Sequence, residues 1–152
     1  MNENNRFRIE YKLLTLQEIY GQKVADNYLN YLVGIPPQYW VDADLNFYWD
    51  GDKIFSEPNF PIYKFVLDAR CWFMNYFPNS EFVWNEDCFD SWMGKITIAP
   101  KENQTLLQVN FEDAEEIKLF IPTDSFKFGF AEFLDGFKET AESFWEMSFN
   151  LT

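Results

Sequence analysis

The chain has 152 residues and a formal net charge of −13, from 25 acidic and 12 basic residues, with no histidine. A field of that sign repels nucleic acid and anionic lipid surfaces. The missing imidazole excludes Ser-His-Asp and Cys-His catalysis and removes the commonest metal ligand. The 18 Phe, 8 Tyr and 6 Trp residues each bury roughly 150–250 Å² when packed, so a large core is expected and disorder is not.

The opening MNENNRFR is polar and lacks an apolar targeting core, and no run of about 18 apolar residues occurs. A chain with neither a targeting segment nor a membrane span is therefore expected. Phe7, Ile9, Tyr11 and Leu13 then alternate with Arg8, Glu10 and Lys12, a strand with one buried face. Thr15-Leu-Gln-Glu18 is a capping box, and the helix it opens is expected to run from Leu16 to Val33, where Gly34 and Pro36-Pro37 stop it.

Leu45, Phe47 and Trp49 alternate up to Asp50-Gly51, a hairpin turn signal, and the return strand reads Lys53 to Phe55. VDADLNFYWDGD resembles a calcium loop only at first sight. With Asp42 as position 1, Phe47 falls where glycine is needed and Lys53 where glutamate is needed. Asn59-Phe-Pro61 opens a second helix that ends before Pro78. Lys64, Asp68 and Asn75 form its one polar strip and apolar side chains cover most of the remaining circumference, so it is expected at the centre of the core with Cys71 buried. Cys71 and Cys88 are isolated and are expected as free thiols in a reducing compartment.

Four strands follow: Glu81–Glu86, Lys95–Ala99, Thr105–Phe111 and Glu115–Ile121, with short links that favour an antiparallel meander. Their expected buried faces are Phe82/Trp84, Ile96/Ile98, Leu107/Val109/Phe111 and Ile117/Leu119/Ile121. The fold class expected is α+β over one domain, residues 1–152. An antiparallel sheet (the C-terminal four-strand meander plus the N-terminal strand and hairpin) carries about three helices mainly on one face.

The last helix is the informative one. In FAEFLDGFKETAESFWE, Phe130, Phe133, Leu134, Phe137, Ala141, Phe144 and Trp145 form one stripe. Glu132, Asp135, Glu139, Glu142 and Glu146 form another, at steps of 3, 4, 3 and 4. Like charges at that spacing cost roughly 0.2–0.5 kcal/mol per pair, about 1–2 kcal/mol over the ladder. A helix tuned only for stability would mix signs. Glu112, Asp113, Glu115 and Glu116 repeat the theme on a turn. These nine acids are the expected partner-binding residues.

The functional expectation is a small acidic, cytoplasmic binding protein, of the inhibitor or immunity type, that neutralises a basic partner protein such as a bacterial toxin. It needs no cofactor and no metal, binds neither nucleic acid nor membrane, and is a monomer or homodimer. The Phe, Tyr, Asn, Lys and Glu bias fits an AT-rich bacterial genome. One alternative is a carboxylate- or divalent-metal-dependent hydrolase centred on the loop WNEDCFDSW. There Trp84, Glu86, Asp87, Asp90 and Trp92 place carboxylates beside indoles, as at sugar-processing sites. The other alternative is a structural homodimeric module.

Overall fold

The computed structural model describes residues 6–20, 32, 34–88, 91–112 and 114–145, with the side chains of residues 20, 38, 86–88 and 91–93 excepted. It contains two antiparallel sheets and three helices. The α+β class expected from the sequence is the observed one.

Sheet A has the order β1-β2-β3, built from Phe7–Leu13, Ala43–Trp49 and Asp52–Phe60. Asp50 and Gly51 adopt positive φ values of 56° and 84° and close the two-residue hairpin between Trp49 and Asp52. A turn of this hand matches the twist of the flanking strands and favours Asp-Gly. The return strand is longer than the expected Lys53–Phe55 and continues through Pro58 to Phe60. Proline is tolerated because β3 is the sheet edge, where one side of the backbone has no partner strand.

The capping box at Thr15 forms as read. Thr15 N–H donates to Glu18 Oε1 and Glu18 N–H donates to Thr15 Oγ1, both at 3.1 Å. These bonds and Lys12, 3.7 Å away, hold the Glu18 carboxyl below its usual range. The first helix α1 spans Leu16–Tyr20. Residues 21–31 and 33, over which it was expected to continue, lie outside the described residues; Leu32 is helical and buried. A short 3-10 turn, Pro37–Tyr39, leads into β2.

Helix α2, Ile62–Asn75, buries Ile62, Tyr63, Phe65, Val66, Ala69 and Trp72. It does not lie wholly inside the core as expected: Cys71 is exposed and Met74 is 68% exposed. The helix contacts the 3-10 turn, β4 and the last helix, and Cys71 and Met74 face away from the core.

Sheet B has the order β4-β5-β6-β7: Phe82–Cys88, Ser91–Lys101, Gln104–Phe111 and Ile117–Pro122. This is the expected meander. The segment read as a loop in WNEDCFDSW is instead hairpin, since Asp87 pairs with Trp92 and Cys88 with Ser91. Alternation of strand residues continues to the hairpin end, and a register shift after Glu86 absorbs the irregular sequence.

The last helix α3, Thr123–Trp145, buries Phe126, Phe130, Phe133, Leu134, Phe137, Ala141 and Trp145. Phe144, expected on the same stripe, is 42% exposed and rests edge-on against Trp145. One hydrophobic cluster joins residues of both sheets and of α2 and α3. Direct ring contacts bridge the sheets, among them Phe55–Phe111 at 5.2 Å and Phe60–Trp84 at 5.1 Å.

Two glycines of α3 face opposite circumstances. A Cβ at Gly129 would collide with the backbone carbonyl of Phe7, whereas a Cβ at Gly136 would meet nothing within 4 Å. Gly129→Ala should therefore destabilise the fold by about 1–3 kcal/mol through overpacking. Gly136→Ala should stabilise it by up to about 1 kcal/mol through helix propensity. Urea denaturation of the two variants checks the opposite signs.

Candidate partner-binding surface

Helix α3 is anchored where it begins. Thr123 N–H donates to Asn103 O at 2.8 Å, and its hydroxyl donates to Glu102 O at 3.1 Å. Its rings then fix the rotation of the helix: Phe126 meets Phe7 of β1, while Phe133 and Phe137 both meet Tyr11. With the aromatic stripe held inward, the acidic stripe is forced outward, as the 3.6-residue period requires.

The carboxylates of that stripe are not equivalent. Glu132 pairs with the Arg6 guanidinium, which also lies 5.2 Å from the centre of the exposed Phe128 ring. Asp135 and Glu139 are exposed, one helical turn apart, and no ion pair reaches either among the described residues. Glu142 is half-buried, and its charge, together with burial, pushes the Tyr63 phenol up. Glu146 lies outside the described residues. A shallow concavity of about 560 Å³ runs along the outer flank of α3, bounded by Asp124, Lys127, Phe128, Ala131, Glu132 and Asp135.

The second acidic group sits on the β6–β7 turn, at the opposite end of those strands from Thr123. Glu112, Glu115 and Glu116 are exposed, and Glu116 accepts a hydrogen bond from Gln108 Nε2. Asp113 lies outside the described residues.

Of the alternative site, only the Trp84 side chain lies among the described residues. Trp84 is 3% exposed and donates its indole N–H to Asp68 Oδ2 at 3.2 Å. It is a core residue with its polar end satisfied, not a stacking platform. Glu86, Asp87 and Trp92 have strand backbone; their side chains, and Asp90 altogether, lie outside the described residues. Among the described residues no group of three or more His, Cys, Asp or Glu could hold a metal ion.

The cations of residues 6–12 are already engaged, whereas Lys127 and Lys138 of α3 itself are exposed and in no ion pair among the described residues. Arg8 Nε lies 2.9 Å from Glu10 Oε1, and the guanidinium stacks 4.5 Å over Tyr48. With Arg6–Glu132 and Lys12–Glu18, these are the three ion pairs among the described residues, and all use cations of residues 6–12. Comparison with protein-family models, curated proteins and solved structures finds no match for the chain.

Sequence reasoning passed over Asp42, which it considered only as a metal ligand. The carboxyl is half-buried beside the 3-10 turn, and desolvation pushes it up to about 7. Periodicity gives no warning, because Asp42 and Asp44 fall on the same polar face of the strand pattern. Asp44 accepts the Asn59 N–H at 3.3 Å, whereas no such donor reaches Asp42 among the described residues.

A raised folded-state pKa means that the native chain binds more protons than the unfolded chain between about pH 4 and about pH 7. Stability from this group is present below about pH 4 and is lost as pH rises through about 7. Asp42→Asn should then melt higher than the parent at pH 8 by roughly 2–4 °C or more. The gap should close as pH falls toward 4. Calorimetry of both proteins across that range checks it, and a pH-independent gap contradicts the assignment.

Proposed function

We propose that the protein binds a basic partner protein through the exposed acids of α3, as an inhibitor or immunity-type protein does to a cationic toxin. The observation that carries this reading is the pair Asp135 and Glu139. They are exposed one turn apart with no ion pair among the described residues, while the cations of residues 6–12 are taken by Glu132, Glu10 and Glu18. A negative strip on a helix fixed by aromatic packing, with Lys138 beside it, steers a cationic surface and sets its register. Glu132 contributes less, because Arg6 neutralises it. The exposed turn acids Glu112, Glu115 and Glu116 extend the negative field, and the half-buried Glu142 lies further along α3. Acting by occlusion alone, such a protein carries out no reaction of its own.

The test uses the basic protein that co-purifies with the chain from its native host, followed by kinetics with both partners pure. Raising NaCl from 50 to 500 mM should slow association by at least about tenfold. The double reversal Asp135→Lys/Glu139→Lys should slow it by a similar factor while leaving the melting temperature near that of the parent. The inhibitor form further expects the partner's own activity to disappear in the complex. An association rate indifferent to both salt and reversal rules the reading out.

A further inference from the structure

The outer strands are β1 and β3 in sheet A, and β4 and β7 in sheet B. An open edge is a template for another chain, and folds blunt it with bulges, proline or a covering element. Helix α3 lies against the start of β1, with Gly129 on the Phe7 carbonyl. Register shifts and Pro58 break β3, and a further shift interrupts β4 against β5. Strand β7 has none of these before its last residue, Pro122. It pairs with β6 without a shift, and Lys118 is its only charge.

The register shows which main-chain groups of β7 are left over. Thr123 N–H donates to Asn103 O at 2.8 Å, one step beyond the Gln104–Pro122 pair. Hydrogen-bonded and non-bonded pairs alternate along an antiparallel ladder. Ile117, Leu119 and Ile121 therefore bond to β6, and the N–H and C=O groups of Lys118 and Phe120 point to the open side. Pro122, with no N–H to offer, falls on the open side too. Among the described residues no main-chain bond reaches Lys118 or Phe120 from that side. The side chains are also incompletely covered: Ile117 and Leu119 are half-buried, and Phe120 is 51% exposed.

We propose that β7 pairs antiparallel with β7 of a second copy of this chain, about a twofold axis at Leu119, so that the two 4-stranded sheets become one. In this register Lys118 and Phe120 of one copy exchange main-chain bonds with Phe120 and Lys118 of the other. Leu119 meets its own counterpart on the inner face, and Ile117 meets Ile121 of the second copy. On the outer face the Lys118 ammonium lies beside the Phe120 ring of the second copy, a cation–π pairing. The edge is thus complementary to itself in main-chain bonds, in apolar contacts and in its one charge. The antiparallel arrangement also carries the two sets of turn acids to opposite ends of the contact. The pairing does not depend on the acidic-surface reading above, and its salt dependence has the opposite sign. Two chains of charge −13 repel, so salt favours their association.

Sedimentation equilibrium of the full chain, at concentrations up to about 1 mM, should show a species of twice 18.3 kDa. Raising NaCl from about 50 to about 500 mM should tighten it by at least about tenfold. Lys118→Pro removes only an outward N–H, so it should fold with a melting temperature near the parent's and stay monomeric. Lys118→Gln should associate like the parent. The axis brings the two Leu119 Cα atoms to about 4.5 Å in a non-bonded pair, within disulfide reach. In a Cys71→Ser/Cys88→Ser background, Leu119→Cys should therefore form a covalent dimer on mild oxidation. Met74→Cys, exposed on α2, should not. A monomer at every concentration and salt overturns the proposal, as does an association that weakens with salt. A folded Lys118→Pro chain that associates like the parent overturns it too, as does Leu119→Cys cross-linking no faster than Met74→Cys.

Discussion

The fold depends on one row of rings. Phe126, Phe130, Phe133 and Phe137 project from α3 at three- and four-residue steps, and each touches rings from other elements: Phe7 and Tyr11 of β1, Phe65, Trp72 and Phe73 of α2. Edge-on and offset pairs of this kind add about 0.5–1.5 kcal/mol beyond the area they bury. Their larger effect is geometric. An aromatic stripe locked against two elements leaves α3 no freedom to rotate, so the opposite face is fixed as well. The directions of Asp135 and Glu139 are thus a consequence of where Phe130 and Phe137 must go.

Gly129 completes that constraint. Without a side chain it lets the helix backbone reach the Phe7 carbonyl, which sets the distance between α3 and the outer strand. The nearby ion pair between Arg6 and Glu132 ties the chain just before β1 to the same stretch of helix. Gly136 has no such neighbour: a Cβ there would meet nothing within 4 Å. Two glycines one heptad apart play unlike parts, one as a point of contact and the other as a gap.

Much of this was legible in the residues. The alternation from Phe7 to Leu13, the Thr15–Glu18 box, the Asp50-Gly51 turn and the four-strand meander carry their geometry in local chemistry that tertiary packing does not override. Local rules failed where a position's role is set from outside. The return strand was read as ending at Phe55, yet β3 runs on through Pro58 to Phe60, which its place at the sheet edge allows. The apolar girdle of α2 suggested burial all round, yet Cys71 and Met74 stand outside the core. The candidate site was legible as a pattern of acids and illegible as a pattern of charge. No spacing rule states that Arg6 reaches across 126 positions to Glu132, or that Glu142 is drawn in beside Tyr63.

The shared hydrophobic cluster also bears on how the molecule comes apart. Sheet A and sheet B each rest part of their inner face on α3, and they touch each other through Phe55, Phe60, Trp84 and Phe111. Neither sheet keeps a complete floor when the helix is gone. Loss of α3 would expose apolar surface in both sheets at once, so heat or denaturant should dismantle them in a single all-or-none transition. A fragment ending before Thr123 would accordingly behave as a sticky, collapsed chain and not as a smaller version of the native protein.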